Sequence, residues 1–199
     1  MRLPSIAFAS AAAAILIASL PASAAAQKTP PAKPAAAAPA PAAAPVADLA
    51  RVVALCENSD GQASSADRIA TCTQILALPE LTSGQRAKTH TNRAWAYGLE
   101  KKWDAALADY DNAIKAEPNW PIAYSEKGFA RLRMGQYDQA ITNYDKAIKI
   151  DPKTAYSFYG RGIVKIRKKD DAGGRADIEA ARKLDPQVDT VFERIGFKL

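Results

Sequence analysis

The chain has 199 residues, 48% of them hydrophobic, and a formal net charge of +6. Alanine and proline dominate the first 46 positions, which inflates the hydrophobic share and leaves about 150 residues to fold, enough for one domain. All the excess charge lies in residues 85–199, where 22 Lys and Arg stand against 16 Asp and Glu. An excess this modest and dispersed argues against a nucleic-acid binder, which needs a clustered basic face.

Residues 1–24 read as a secretory signal peptide: Arg2 supplies the positive end, Ile6 to Leu20 an uncharged apolar core, and Ala22-Ser23-Ala24 a small-x-small cleavage site, with Ala24-Ala25-Ala26 as a second candidate. The apolar run falls short of the roughly 20 residues of a spanning helix, so we expect export and no integral membrane span in the mature chain. The alternative is an inner-membrane anchor formed by an uncleaved leader. Residues 25–46 form an Ala/Pro-rich linker that cannot bury enough apolar surface to fold.

Residues 47–80 read as a degenerate helical hairpin. Leu49, Val52, Val53 and Cys56 recur at helical spacing, Asn58-Ser59-Asp60-Gly61 is turn chemistry, and Ile69, Cys72, Ile75 and Leu76 follow on a second helix. Antiparallel packing places Cys56 opposite Cys72, and in an oxidising compartment this predicts a disulfide. The rivals are a redox pair and a metal site. The spacing is not Cys-x-x-Cys, and no further Cys or nearby His supports a metal. Thr82-Ser83-Gly84 offers a helix stop and a new cap.

Pro118, Pro152 and Pro186 then stand 34 residues apart, each preceded by the same pattern: Ala106, Tyr110, Ala113; Ala140, Tyr144, Ala147; Gly174, Ile178, Ala181. The apolar residues lie at helical spacing, and each proline stops its helix. Small residues on the preceding helix (Ala94, Gly128, Gly162) allow a tight crossing. One such hairpin cannot bury its own apolar face, so the units at 87–120, 121–154 and 155–188 must stack. Arg175 and Arg182 replace the aliphatics of the earlier units, as a terminal repeat turned to water requires, the alternative being an acidic partner docked there, and residues 189–199 are expected to form a short capping helix.

No catalytic constellation is present. His90, the only histidine, takes the phase of Tyr124 and Phe158 and is expected in the core. No phosphate-binding loop, nucleophile elbow or metal-spaced cluster occurs. We therefore expect neither an enzyme nor a cofactor.

The 34-residue period and its phase resemble the tetratricopeptide repeat (TPR) family over residues 87–186, with a weaker match at 65–79. The resemblance implies an all-α fold, a right-handed solenoid of stacked antiparallel helix hairpins with a C-terminal capping helix. With the leader and spacer, the chain looks like small exported, periplasmic TPR proteins of Gram-negative bacteria. It also implies a peptide-binding groove lined by each unit's first helix, here Lys88, Thr91, Trp95, Leu99, Ile122, Ser125, Phe129, Leu132, Arg133, Tyr156, Tyr159, Ile163 and Arg167. The alternative for Trp95 or Phe129 is packing between adjacent first helices. The groove suits a segment of another protein, with Arg133 and Arg167 placed for an acidic group. The family's chaperone-tail clamp is not expected, because Glu126 and Gly160 occupy the phase of Asn92. The alternatives to a groove adaptor are a structural or self-associating envelope component docking through the array's edge, and a weak binder of an anionic envelope polymer through Lys165 to Lys169.

Overall fold

The computed structural model describes residues 49–58 and 61–197. The expected leader and the whole of the Ala/Pro-rich spacer lie outside them. Among the described residues the helices are α1 (Leu49–Glu57), α2 (Ser65–Leu76), α3 (Ser83–Leu99), α4 (Trp103–Ala116), α5 (Pro121–Arg133), α6 (Tyr137–Ile150), α7 (Ala155–Arg167), α8 (Asp171–Leu184) and α9 (Val188–Arg194), with no strand. None of them is long and apolar enough to cross a membrane.

The caps are local and readable. Ser64 accepts from the Asp67 backbone N–H to start α2. Thr82 and Gln85 form a reciprocal capping box, which starts α3 at Ser83, ahead of position 87. Pro121 opens α5, where no N–H is needed.

Helices pair as α1/α2, α3/α4, α5/α6 and α7/α8. Each first helix also approaches the next first helix, whereas among the described residues the backbones of α2, α4, α6 and α8 stay apart from one another. The first helices therefore form an inner layer and the second helices an outer one.

The turn inside each repeat is built the same way three times. The N–H of Lys102, Gln136 and Asp170 donates to the carbonyl of Tyr97, Arg131 and Lys165, at 2.9 Å in each case. The residue before the donor is left-handed: Lys101 at φ 59°, Gly135 at φ 73° and Lys169 at φ 71°. This is the Schellman geometry, which favours glycine. Only the middle unit supplies one.

Small residues permit the crossings. Ala94, Ala106, Ala113, Ala140, Ala147 and Ala181 are fully buried. A Cβ on Gly162 would stand 2.8 Å from the Gly174 carbonyl oxygen, so the α7 and α8 backbones meet there with no room for a side chain. Between units, a Cβ on Gly160 would lie 2.4 Å from Cζ of Tyr144, which is how the α6 tyrosine reaches across to α7.

Cys56 and Cys72 are joined as a disulfide that ties α1 to α2. They and Ile75 form the centre of a small core of their own, against which Val52, Val53, Leu78 and Leu81 pack.

Candidate site on the inner face

A cavity of about 570 Å³ opens between α3, α4, α5 and the end of α9, with Trp103, Ala106 and Tyr110 of α4 behind the inner layer. Its apolar wall is Trp95 stacked on Phe129, ring centroids 5.7 Å apart, with Leu99 exposed at the rim. Lys101, Arg133 and Arg194 also line it, and among the described residues no carboxylate does. An apolar floor beside three cations is suited to an apolar side chain carried next to an acidic group.

The candidate groove residues separate into three sets. Trp95, Leu99, Phe129 and Arg133 line this cavity. Tyr156, Tyr159, Ile163 and Arg167 belong to the third unit, where the chain's own C-terminal segment lies over the inner face. Phe192 packs on Tyr159 and Tyr156 at centroid distances of 4.4 and 4.7 Å. The Arg133 and Arg167 guanidiniums stand over the Phe197 ring at 5.7 and 5.4 Å.

The third set serves the scaffold or stands apart. Lys88 pairs with Glu57 at 2.8 Å beside the first hairpin. The buried Thr91 hydroxyl donates to the Ala87 carbonyl of its own helix. Ser125 is buried and accepts from Ser157 at 2.7 Å, joining α5 to α7. Leu132 is buried in the core, and Ile122 is exposed.

Charged groups placed inside the array were harder to anticipate. Asp109 accepts from Arg93 Nε at 2.7 Å and Nη2 at 2.8 Å, with His90 Nδ1 2.8 Å away. Burial pushes its carboxyl up, but the hydrogen bonds from Arg93 and His90 outweigh burial and hold it below the ordinary carboxylate range. Asp177 stands 68 residues on, two repeats later, and accepts from Arg161 in the same two-pronged way, with Lys165 2.8 Å away. Its carboxyl is also held low: burial opposes, and the hydrogen bonds of Arg161 and Lys165 prevail. The signal was in the sequence: Arg93 and Arg161, like Asp109 and Asp177, share a repeat phase.

The basic run at the end of α7 and just after it is partly neutralised. Lys165 pairs with Asp177 and Lys168 with Asp138.

Among the described residues, Glu126 on α5 is the one carboxyl held high. Its Oε2 is closed off and unpartnered, as are the Tyr144 and Tyr156 hydroxyls. Burial pushes its pKa up to about 8, so it is predominantly protonated at neutral pH. The repeat phase identified its unusual position but not its burial.

The TPR repeat family model matches residues 130–168. No curated protein matches the chain. Among solved structures, MamA aligns at a TM-score of 0.59 and 18% identity, over 70% of this chain and 80% of MamA. The second TPR of Spaghetti (RPAP3), bound to the HSP90 peptide SRMEEVD, aligns at 0.50 and 22% identity, over 51% and 94%. The Arabidopsis OM64 TPR domain aligns at 0.52 and 23% identity, over 57% and 96%. These likenesses establish the fold.

Proposed function

We propose that this chain, which carries tetratricopeptide repeats and takes their solenoid fold, is a protein-binding adaptor that grips a segment of another protein on its inner face. TPR proteins are generally non-catalytic scaffolds, and we read this chain as one. The observation that carries the reading is the cavity between α3 and α5, where Trp95 and Phe129 form an apolar wall and Lys101, Arg133 and Arg194 supply positive charge, with no carboxylate among the described lining residues. The segment held there has an apolar side chain next to an acidic residue. A TPR relative of this fold was solved with an acidic peptide, SRMEEVD, which supports a peptide as the class of ligand.

The adaptor works in the bacterial envelope, in the periplasm. The support is the Cys56–Cys72 disulfide, which suits an oxidising compartment, together with the leader-like sequence of residues 1–24. The pairing of Lys165 and Lys168 within the array weighs against the anionic-polymer alternative.

A peptide array displaying varied charge and apolar content, probed with the purified chain, tests the ligand chemistry. The expected result is enrichment of acidic residues beside Leu or Phe, with loss of that enrichment in Arg133→Glu and Arg194→Glu. Binding that is indifferent to peptide charge, or that survives both charge reversals unchanged, contradicts the reading.

A further inference from the structure

The C-terminal segment does more than close the last hairpin. A cap needs contact only with α7 and α8, yet this segment turns at Gly196, φ 89°, and reaches α5 in the second unit. There Arg133 Nη1 donates to the Ile195 carbonyl at 3.1 Å, and Phe197 packs edge-on against Phe129 at 5.8 Å. At its other end Asp189 accepts from the Tyr159 hydroxyl at 2.7 Å and from Arg182 Nε and Nη2 at 2.8 and 2.7 Å. Phe192, one helical turn on, is fully buried against Tyr156 and Tyr159.

The inner face over α7 therefore offers three subsites in a row. Arg182 and Tyr159 take a carboxylate, Tyr156 and Tyr159 take an aromatic ring, and Phe129 with Arg133 and Arg167 takes a second ring by edge packing and cation–π contact. The row continues into the open cavity, because Arg133 and Phe129 belong to both. A segment that supplies its own acid and two rings to a surface also lined for binding is an internal copy of the ligand.

We propose that the inner face over α7 is a docking surface for an acidic–aromatic segment of a partner protein, and that residues 188–197 occupy it until that partner displaces them. The partner's segment has an acid, an aromatic three residues on and a second aromatic five residues beyond, the spacing of Asp189, Phe192 and Phe197. This deepens the adaptor reading and rests on it.

The test uses the full chain and a fluorescein-labelled peptide of residues 187–197 as the probe, read by anisotropy. In the Phe192→Ala/Phe197→Ala chain the internal copy has lost both rings, and the peptide should bind at least tenfold more tightly than to the unaltered chain. The same peptide carrying Asp189→Lys should lose at least tenfold of that affinity. Equal, weak binding to both chains, with native helix content in the variant, overturns the proposal. Should the double variant lose helix content, the full-length Asp189→Lys chain, which keeps both rings, decides by the same tenfold criterion. A concentration-dependent dimer of the unaltered chain that the double variant abolishes assigns the surface to a second copy and also overturns it. Partner capture at the open cavity without peptide exchange would sink the present proposal and leave the adaptor reading standing, whereas the absence of any captured partner would sink the adaptor reading and this proposal with it.

Discussion

Phe192 lies on Tyr159 with ring centroids 4.4 Å apart and planes 29° from parallel, so the C-terminal helix is held to the inner face by an aromatic stack. Neither ring is available to solvent. Tyr159, which the repeat phase places in the groove, is reached only after this stack opens.

A residue buried in a terminal element of a stacked array should fail locally. Phe192→Ala should lower the opening free energy of residues 188–197 by about 3 kcal/mol, the low end for a buried Phe→Ala change. Native-state hydrogen exchange checks this. The amides of α9 should exchange faster while those of α3 to α6 keep their protection.

The first hairpin has a small core and a disulfide across it. Reduction, or Cys56→Ser with Cys72→Ser, should cost on the order of 3 kcal/mol, the value for a loop of this length. Far-UV circular dichroism in urea, with and without reductant, should show an early transition for α1 and α2 and a largely unchanged one for the three full units.

Glu126 gives the stability a pH dependence of unusual sign. Folded, its carboxyl titrates at about 8; unfolded, a glutamate titrates at about 4.3. Between these values the folded chain keeps a proton that the unfolded chain has released. The stabilisation is fully present below the unfolded value and is lost as pH rises through about 8, with a slope of at most about 1.4 kcal/mol per pH unit. Tyr110 on α4, Tyr144 on α6 and Tyr156 on α7 face it, and the two tyrosine hydroxyls on α6 and α7 offer it no hydrogen bond. Glu126→Gln should therefore raise the urea midpoint at pH 8 and leave it nearly unchanged at pH 4.5. A midpoint that moves equally at both values contradicts the burial argument.

Lys169 holds a left-handed conformation that Gly135 holds one repeat earlier. Lys169→Gly should stabilise the third unit by about 1 kcal/mol, because the Cβ strain at positive φ disappears. Thermal unfolding checks the sign. Gly135→Lys should shift the midpoint the other way.

How much of this was legible depended on whether a feature repeats. The helices, their stacking and the inner layer follow from the proline period and the alanine stripe, because each unit restates them. The Cys56–Cys72 pair followed from helical phase and the turn at Asn58. The paired Asp109 and Asp177 were legible in principle, since their arginines share a phase. The middle unit hides the pattern by placing Lys127 and Asn143 there. Phe197 shares the groove phase of Ile163, so its packing on the inner face was also readable. What could not be read was the turn at Gly196, because it departs from the repeat: nothing in the preceding units bends a first helix back across its neighbours. Glu126 was misleading for a different reason. A carboxylate in the groove phase reads as a repulsive charge, whereas burial makes it a neutral acid.

The central claim is that the open part of the inner face binds protein. The direct measurement is in-cell photo-crosslinking from position 99, where Leu99 is exposed at the cavity rim, with position 142 on the outer helix α6 as control. A discrete heterologous product from 99, absent from 142 and lost in Arg133→Glu, is the predicted result. Products from 142 alone, or only products of two copies of this chain, would contradict the groove adaptor and favour a structural component that docks by its edge.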